Sequence, residues 1–391
     1  MTTEPPAREQ RRPSEKLTRF SLAGFRSIRQ LDIELRDLTI LIGANGSGKS
    51  NFIGFFNMLS SLLSERLQVY IQTRGGAASV LHYGPKVTPQ LEAWLTFTDE
   101  GHTSTYGFEL GFAAPDRLIF LREQLQSPQE GEPYPYQRGI NWGGTETALK
   151  QHSEEHDSPQ LRSLAGHLLE RLKDLRVYHF HDTSETAAIR LTHDIGDNRS
   201  LSRTGANLAA FLYMLRKSYP GHYDQILSTV RLAVPYLQDL VLEPDRLGAA
   251  AIQLRWRDRS VDHEFGSHQL SDGSLRAIAL ITALMQPEEL LPALIAIDEP
   301  ELGLHPGAIT TIAHLIQAVS SKRQVIVATQ SSRLIAAFAP EDVVVVEREE
   351  DEKGRGRSTF QRLSEEALGA WRDDYDLGQL YDMNVTGGGP R

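Results

Sequence analysis

The 391-residue chain contains no cysteine. This absence excludes disulfide-stapled scaffolds, thiolate metal sites and cysteine nucleophiles. Long uninterrupted apolar runs are also missing, and the first residues, Met1 to Pro6, lack the apolar stretch of a secretory signal. We therefore expect a soluble, cytoplasmic protein with no membrane partner.

An excess of positive charge is likewise absent. The chain has 41 Lys and Arg against 51 Asp and Glu, a formal net charge of −10 with histidine neutral. This balance argues against an evenly basic surface that coats nucleic acid, although a local basic groove is compatible with it. One basic cluster lies near the start: Arg8, Arg11, Arg12, Lys16 and Arg19. We interpret residues 1–16 as a disordered, solvated tail.

A glycine-rich loop between two regular elements is the most informative feature that is present. Leu38–Ile42 is an apolar, β-prone run, Gly43–Ser50 fits the template G-x-x-x-x-G-K-[ST], and Asn51–Met58 can form a helix. In this order, backbone N–H groups and the positive end of a helix dipole point at a bound phosphate. The segment therefore predicts a nucleoside triphosphate site in a P-loop α/β fold.

The residues of this loop have distinct expected roles. Lys49 would reach the β- and γ-phosphates, and the Ser50 hydroxyl would occupy one position on Mg²⁺. Glycines let the backbone wrap the anion without Cβ clashes. The residues expected to contact the nucleotide are Gly43, Ala44, Asn45, Gly46, Ser47, Gly48, Lys49, Ser50 and Asn51.

A second apolar run ends in two acidic residues. Leu294–Ile297 has the composition of a buried strand and delivers Asp298 and Glu299 at its C-terminal end. Asp298 would hold Mg²⁺ directly or through water, and Glu299 would orient and polarise the attacking water. Alone, the pair would also describe a strand that ends in a solvated acidic turn. Combined with the glycine-rich loop, it predicts a hydrolase.

A third segment, Gln269–Leu275, precedes an apolar helical stretch. Ser271 and Gly273 can form a second anion-binding nest at the helix start. Alternatively, Ser271 or Asp272 is an ordinary N-cap without a ligand. Because a second nest would crowd the phosphates held by Gly43–Ser50, a nucleotide shared between two subunits is the more economical geometry.

Three segments, in this order, resemble the ABC-type ATPases of the RecF/SMC branch: Gly43–Asn51, Leu270–Ser274 and Ile297–Pro306. The resemblance includes the opening segment Phe20–Ile33 and is closest to stand-alone RecF-like AAA-family ATPases of bacteria, which include relatives of the OLD-family ATPases. It implies an α/β P-loop fold of the two-lobed ABC head type, with a mixed central sheet, an antiparallel β layer and a helical insertion. It also implies an ATPase that uses ATP and Mg²⁺ and forms a homodimer, or a higher even-numbered oligomer, by sandwiching ATP.

The same resemblance implies roles for particular residues. Arg26 would lie near the nucleotide, and Ser271 and Gly273 would contact the γ-phosphate bound to a partner subunit. Glu301–His305 would be a subunit-contacting loop, and Gln330 stands where many such ATPases carry a histidine that senses the γ-phosphate. Glutamine can donate a hydrogen bond to phosphate but cannot carry charge. The expected catalytic residues are Glu299, Lys49 and Gln330.

Two further features leave alternatives open. Gln72 and Gln124 both fit the chain order of the glutamine switch of such ATPases, and neither has a supporting motif. His179 and His181 share one face of an expected strand and suggest a metal site, but no third ligand lies nearby in the sequence. A structural or nucleotide-proximal role is favoured for these histidines.

We expect one ABC-type head over residues 17–347, with its core in 17–71 and 263–347 and a β-rich and helical insertion in 72–262. Residues 348–391 would add a C-terminal hairpin or helix and a loosely ordered glycine-rich tail. Sustained heptads are missing from the insertion, and Pro and Gly recur in it, which argues against a long coiled coil.

Periodicity predicts several elements within the insertion. Alternating segments predict three strands, Leu91–Phe97, Thr103–Phe112 and Arg117–Gln126, followed by a loop over Gln129–Gly144. Apolar residues at helical spacing predict three helices: Ser158–Lys173, Asn207–Ser218 and Tyr223–Val234. A strand pair is expected at Leu240–Glu243 and Ala250–Trp256.

Three functions fit these observations. The first is an ATPase that acts in DNA repair or genome maintenance, with DNA as a partner. The second is a sensor and regulatory subunit in anti-phage defence that restrains a separately encoded nuclease or toxin effector. A transporter motor is disfavoured by Gln330 and by the long separation of the two phosphate motifs. Because we find no nuclease motif, we expect another protein to perform any DNA cutting.

Overall fold

The computed structural model describes residues 15–99, 102–128, 136–244, 250–369 and 371–389. Residues 1–14 of the expected N-terminal tail therefore lie outside the described residues. In the described part, no helix is both long and apolar enough to cross a bilayer.

The strands, in chain order, are β1 (Lys16–Phe25), β2 (Ile28–Glu34), β3 (Leu38–Ile42), β4 (Gln90–Asp99), β5 (His102–Ala113), β6 (Arg117–Ser127), β7 (Tyr136–Asn141), β8 (Leu175–Tyr178), β9 (His193–Asp194), β10 (Leu237–Val241), β11 (Ala251–Ile252), β12 (Arg255–Asp258), β13 (Glu264–Gly266), β14 (Leu294–Asp298), β15 (Gln324–Thr329), β16 (Val343–Glu350) and β17 (Gly356–Arg362).

The helices are α1 (Lys49–Leu63), α2 (Leu67–Thr73), α3 (Ala77–Val80), α4 (Leu149–Glu155), α5 (Pro159–Lys173), α6 (Leu208–Ser218), α7 (Pro220–Ala233), α8 (Asp272–Met285), α9 (Pro306–Ser320), α10 (Ser332–Ile335), α11 (Glu365–Leu368), α12 (Trp371–Asp374) and α13 (Leu377–Asp382). Short 3-10 turns lie at Ala188–Arg190, Ser267–Gln269 and Pro340–Asp342.

The described residues form two compact units. The first unit takes its residues from 15–24, 30–35 and 61–174, and the second from 25–29, 36–60 and 175–389. The chain therefore passes between the units several times before residue 175.

A six-stranded sheet in the order β2-β1-β4-β5-β6-β7 forms the centre of the first unit. Its register is antiparallel from β1 through β7. In β4, Leu91, Ala93, Leu95 and Phe97 are buried and alternate with more exposed residues. This period of two places one face of the strand in the core, and the three predicted strands of this region are confirmed.

The predicted loop over Gln129–Gly144 is wrong in part. Residues 129–135 lie outside the described residues, but Tyr136–Asn141 forms strand β7 and pairs with β6. Gly139 allows this pairing beside an aromatic ring, because a Cβ at that position would overlap the Trp142 indole. The glycine therefore relieves a steric conflict within a strand and does not mark a loop.

The second unit contains a six-stranded sheet in the order β17-β16-β3-β15-β14-β8. Strands β16, β3, β15, β14 and β8 are parallel, and β17 is antiparallel to β16. Every residue of β3, β14 and β15 is buried, as expected for central strands covered on both faces. Parallel strands end at the same sheet edge, so the segments that follow β3, β14, β15 and β8 meet there.

Smaller elements of the second unit complete the fold. The predicted helices near 207–218 and 223–234 are confirmed as α6 and α7. The expected strand pair is confirmed in part: β10 pairs with β12, at Leu240–Trp256 and Val241–Arg255, and β12 also pairs with β13. Residues 250–256 do not form one continuous strand, however, because Ala251–Ile252 pairs separately with β9.

Candidate nucleotide-binding and hydrolysis site

The glycine-rich loop connects the end of β3 to the start of α1, as its sequence predicts. Lys49 is the first residue of that helix, and its Nζ donates hydrogen bonds to the carbonyls of Gly43 (2.5 Å) and Ala44 (3.0 Å). Burial lowers the pKa of Lys49, while the carboxylates of Glu299, Asp298 and Glu301 oppose this shift. The loop therefore encloses a buried cation that faces three acidic groups.

Glycine is required in this loop because other backbone and side-chain atoms approach it closely. A Cβ on Gly43 would clash with the Val346 carbonyl, and one on Gly48 would clash with the Ser358 hydroxyl. Gly46 instead has a left-handed backbone, with φ of +78°, and open space around it. The template glycines therefore serve both close packing and backbone conformation.

The two halves of the predicted site meet at Ser50 and Asp298. The Ser50 hydroxyl lies 3.3 Å from Asp298 Oδ1, although 248 residues separate them in the chain. Asp298 is the last residue of β14 and is 7% exposed. Burial raises the pKa of Asp298, and the Ser50 hydrogen bond and His181 oppose this shift.

Glu299 has a left-handed backbone, with φ of +43°. This region is uncommon for a residue with a Cβ and is costly unless neighbouring structure maintains it. The Glu299 N–H donates to the Ala328 carbonyl at 2.8 Å, which fixes the backbone against β15. The half-buried side chain thus follows Asp298 on a strained turn at the sheet edge.

Gln330 lies at the end of β15 and is exposed. Its backbone N–H donates to Glu301 Oε1 (3.2 Å), and the Thr329 hydroxyl donates to the same oxygen (2.6 Å). Burial raises the pKa of Glu301, and the Thr329 hydrogen bond opposes this shift. Glu301 therefore fixes the segment that carries Gln330, a contact that sequence reasoning missed when it assigned Glu301 only to a subunit-contacting loop.

His181 follows β8 and contacts the acidic strand end. Its Nε2 lies 2.8 Å from the Asp298 carbonyl, which can only accept, so this nitrogen is the donor. In the described part of the chain, no group of three or more His, Asp or Glu residues could hold a metal ion without other ligands. His181 thus lies against the strand end that carries Asp298, and its nucleotide-proximal role stays a prediction. The two residues considered for the glutamine switch, Gln72 and Gln124, both belong to the first unit.

A chain of polar contacts links Arg26 to the glycine-rich loop. Arg26 has a φ of +49°, and its Nη1 donates to Asn51 Oδ1 at 3.4 Å. Asn51 Nδ2 donates to the Ser27 hydroxyl at 2.7 Å. The Ser358 hydroxyl lies 2.7 Å from Ser27 Oγ and 2.5 Å from the Ser47 carbonyl. Sequence reasoning missed Ser27 and Ser358 because neither belongs to a recognisable motif.

Ser271 and Gly273 lie at the start of α8. Ser271 is exposed and caps the helix, with Oγ accepting from the Ser274 N–H at 3.2 Å. A Cβ on Gly273 would clash with the Gly303 carbonyl, so this glycine allows the loop after Glu299 to contact the helix start. The Ser271 hydroxyl donates to Ser274 Oγ at 2.8 Å, and because a hydroxyl proton can rotate to another acceptor, both earlier alternatives for Ser271 remain compatible with this geometry.

The buried Arg190 side chain fixes the segment before α8. Its Nη2 pairs with Asp272 Oδ1 at 2.8 Å, and Nη1 donates to the carbonyls of Ser267 and Leu270 (3.2 Å for Leu270). Arg276, one turn into α8, donates to the carbonyls of Leu302 (3.1 Å) and His181 (2.7 Å). These two arginines connect α8 to the loops after β8 and β14.

The C-terminal segment packs on the glycine-rich loop. The buried Tyr381 of α13 lies beside this loop: burial raises the pKa of its hydroxyl, and the Gly43 backbone opposes this shift. Gly388, with φ of +70°, lies so close that a Cβ there would be 3.2 Å from the Gly43 Cα. The expectation of a loosely ordered tail is therefore wrong for residues 384–389, where glycine permits tight packing.

The parallel sheet and this loop-and-carboxylate site define a P-loop ATPase of the ABC head type. The chain belongs to the family described as "AAA domain, putative AbiEii toxin, Type IV TA system", whose model matches residues 38–336. It is also similar to the Old nuclease of Escherichia phage P2, at 24% identity over 351 residues. That match covers 82% of this chain and 57% of the relative, so the chain spans less than two thirds of the relative's length.

Two solved structures share the fold. One is an Smc head bound to the C-winged helix domain of ScpA, with a TM-score of 0.55, 15% identity, and coverage of 90% of this chain and 98% of that chain. The other is an Smc head with an extended coiled coil, bound to the C-terminal domain of ScpA derived from Pyrococcus furiosus. Its TM-score is 0.56, with 13% identity and coverage of 92% and 99%. The chain thus belongs to this AAA-domain family and shares the fold of Smc heads, and the prediction of a P-loop α/β fold of the ABC head type is confirmed.

Proposed function

We propose that two copies of this chain close around ATP, hydrolyse it and reopen, and that this cycle serves a DNA-related process. The observation that carries the proposal is the 3.3 Å contact between the Ser50 hydroxyl and Asp298 Oδ1. It supports a single catalytic pocket made from the loop after β3 and the acidic end of β14. The positions of Lys49 and Glu299 beside this contact support the same pocket.

The donor set at this contact fits Mg²⁺. A serine hydroxyl and a carboxylate are hard oxygen ligands, and P-loop enzymes hold Mg²⁺ with such a pair while the nucleotide and water complete the shell. Ser50 and Asp298 would hold the ion, which supplies charge neutralisation at the phosphates when bound. Lys49 would exchange its two carbonyl contacts for β- and γ-phosphate oxygens.

Glu299 would act on the attacking water. Its carboxylate follows the metal-binding residue directly, and a strained backbone directs it. Gln330 would donate to the γ-phosphate from a segment fixed by Glu301, and Arg26 would bind near the nucleotide from its contact with Asn51. Ser271 and Gly273 would complete the site from the partner subunit.

A mutant pair tests this cycle. Glu299→Gln should bind ATP but hydrolyse it at least about 100-fold more slowly, and should accumulate an ATP-dependent dimer. Lys49→Ala should bind no ATP and remain monomeric. Light scattering after size exclusion, with and without ATP, measures both states. Dimers that persist equally in wild type and Lys49→Ala would contradict the proposal.

The similarity to a protein named Old nuclease and the fold shared with Smc heads support DNA as the ligand. With a net charge of −10, contact would require a local basic surface and would therefore weaken steeply with salt. We expect duplex DNA ends to stimulate ATP hydrolysis by wild type at low salt, and the stimulation to fall as salt rises. A hydrolysis rate that DNA leaves unchanged at every salt concentration would exclude a direct DNA-coupled ATPase.

A regulatory subunit in anti-phage defence is the second candidate, favoured by the toxin–antitoxin wording of the matched family. In this case the ATP-dependent dimer would restrain a separately encoded nuclease or toxin. Purification of the tagged protein with ATP, followed by mass spectrometry, distinguishes the two. Recovery of a nuclease or toxin in wild type but not in Lys49→Ala would favour the defence function.

A further inference from the structure

We propose that Tyr236 is a positioning residue for the trans-acting phosphate contact, acting on the Ser271 hydroxyl through Ser274. The inference rests on the proposed function, in which Ser271 meets the γ-phosphate of a partner subunit's ATP. The structure contains an uninterrupted line of three hydroxyls that ends at Ser271. Tyr236 Oη lies 2.8 Å from Ser274 Oγ, and the Ser271 hydroxyl donates to Ser274 Oγ at 2.8 Å.

The number of hydrogen bonds that the Ser271 hydroxyl can make determines what this line of hydroxyls can do. A hydroxyl has one proton to donate and two lone pairs that accept. Ser271 Oγ already accepts from the Ser274 N–H at 3.2 Å. If Tyr236 donates to Ser274 and Ser274 donates to Ser271, both lone pairs of Ser271 are occupied. Of the three hydroxyl protons in this line, the one on Ser271 is then without an acceptor, and it suits a phosphate oxygen.

The direction of the line can respond to the ligand. In the structure Ser271 donates to Ser274, so the line runs toward Tyr236, and hydroxyl protons can rotate to run it the other way. An anion at Ser271 reverses all three donors together, and each bond polarises the next. A phenolic hydroxyl at the far end favours the reversed direction, because it is a better donor than an aliphatic one. Removal of that hydroxyl should therefore weaken a phosphate contact that Tyr236 does not itself touch.

The tyrosine reaches this line from outside α8. Its ring packs edge-on against the buried Trp256 at a centroid distance of 5.4 Å, and Trp256 stacks on Phe265 at 4.9 Å. Tyr236 is nevertheless 40% exposed, so its ring is anchored while its hydroxyl remains at the surface beside the exposed Ser271. Anchored aromatic packing fixes the hydroxyl without the entropy cost of a long, flexible side chain.

The experiment measures the ATP-dependent dimer in the Glu299→Gln background. Tyr236→Phe keeps the ring on Trp256 and removes only the hydroxyl, so the melting midpoint and ATP binding by the monomer should not change. The dimer dissociation constant should rise about tenfold to 100-fold. Each of the two symmetric sites weakens the dimer about three- to tenfold, and the two effects multiply. Ser274→Ala should have the same effect on the dimer. In the protein that retains Glu299, Tyr236→Phe and Ser274→Ala should each lower kcat more than they change KM.

Two comparisons make the result specific. Tyr375→Phe, at a tyrosine of similar exposure (37%) that also contacts a tryptophan, should leave the dimer unchanged. In a Ser271→Ala background, Tyr236→Phe should add no further loss, because the hydroxyl that it positions is gone. An unchanged dimer in Tyr236→Phe, or a loss that adds fully to that of Ser271→Ala, overturns this inference alone. Failure of Glu299→Gln itself to dimerise with ATP overturns the proposed function and this inference together.

Discussion

At the residue scale, the candidate site contains buried and strained groups that oppose stability. Asp298 is a buried carboxylate whose pKa is raised by burial, and Lys49 is a buried ammonium whose pKa is lowered by burial. Two further site residues, Arg26 and Glu299, have left-handed backbones at φ of +49° and +43°. Groups maintained at such a cost concentrate at functional sites.

Asp298→Asn should therefore stabilise the nucleotide-free protein while it abolishes hydrolysis. Asparagine retains an acceptor for Ser50 but carries no charge that burial would penalise. We expect a higher midpoint of thermal unfolding in EDTA and a fall in ATPase rate of about 100-fold or more. Calorimetry and a phosphate-release assay measure the two effects.

Wild type provides the control for this prediction. MgATP should raise the midpoint of thermal unfolding of wild type, and should raise that of Asp298→Asn much less. The reason is that a ligand stabilises the folded state more, the more tightly it binds. A variant that melts lower than wild type in EDTA would show that the carboxylate supports the apo structure and does not oppose its stability.

At this scale, sequence reasoning brings together candidate site residues where each lies in a short contiguous motif. Ser50 and Asp298 were named separately from two motifs, and the structure brings them within 3.3 Å. Glu301, Ser27 and Ser358 were missed as site residues. Their contacts are with Gln330, Asn51 and the Ser47 carbonyl, and contacts between remote segments leave no local pattern.

At the element scale, the C-terminal helix α13 connects two parts of the candidate nucleotide site. Tyr381 contacts the Gly43 backbone, and Gly378 packs on α10, the helix that follows Gln330. A Cβ at Gly378 would clash with the Ser332 carbonyl and would lie 3.1 Å from the Ala336 Cβ. The glycine thus permits the close contact between the two helices.

Gly378→Ala should detach α13 in part. Forcing a methyl group into this contact should cost about 1–3 kcal/mol, and ATP affinity should fall because Tyr381 lies on the same helix. Limited proteolysis near residue 376 and nucleotide titration measure these effects. Gly221→Ala in α7 is the matched control, since a Cβ there meets nothing within 4 Å. If Gly378→Ala and Gly221→Ala show the same proteolysis and the same ATP affinity, packing of α13 does not maintain the glycine-rich loop.

Element prediction from sequence depended on how local each signal was. Alternation in β4 to β6 and helical spacing in α5 to α7 were sufficient, because one face of each element is buried. Strand β7 and the packed segment 384–389 were misjudged. In both, glycine was interpreted as a breaker, whereas its role is to accommodate a neighbour that the sequence does not reveal.

At the scale of the whole molecule, the sequence does not show that its middle divides between two compact units. The predicted insertion, 72–262, contributes to the antiparallel sheet of the first unit and to α6, α7 and β8 of the second. Strand β8 completes the central sheet beside β14, so part of the insertion belongs to the sheet that carries the candidate site. Only the long-range strand pairing reveals this, and pairing partners are not encoded in local periodicity.

The central claim is that each catalytic pocket takes Lys49 and Glu299 from one chain and Ser271 from another. The most direct measurement is the ATPase rate of a mixture of Lys49→Ala and Ser271→Arg. Each variant alone should be inactive, because every pocket lacks one part. A one-to-one mixture should regain ATPase activity, because a dimer of unlike chains contains one intact pocket of two, which limits the rate to about half of the wild-type rate at most. A mixture as inactive as its components would contradict a pocket shared between two chains.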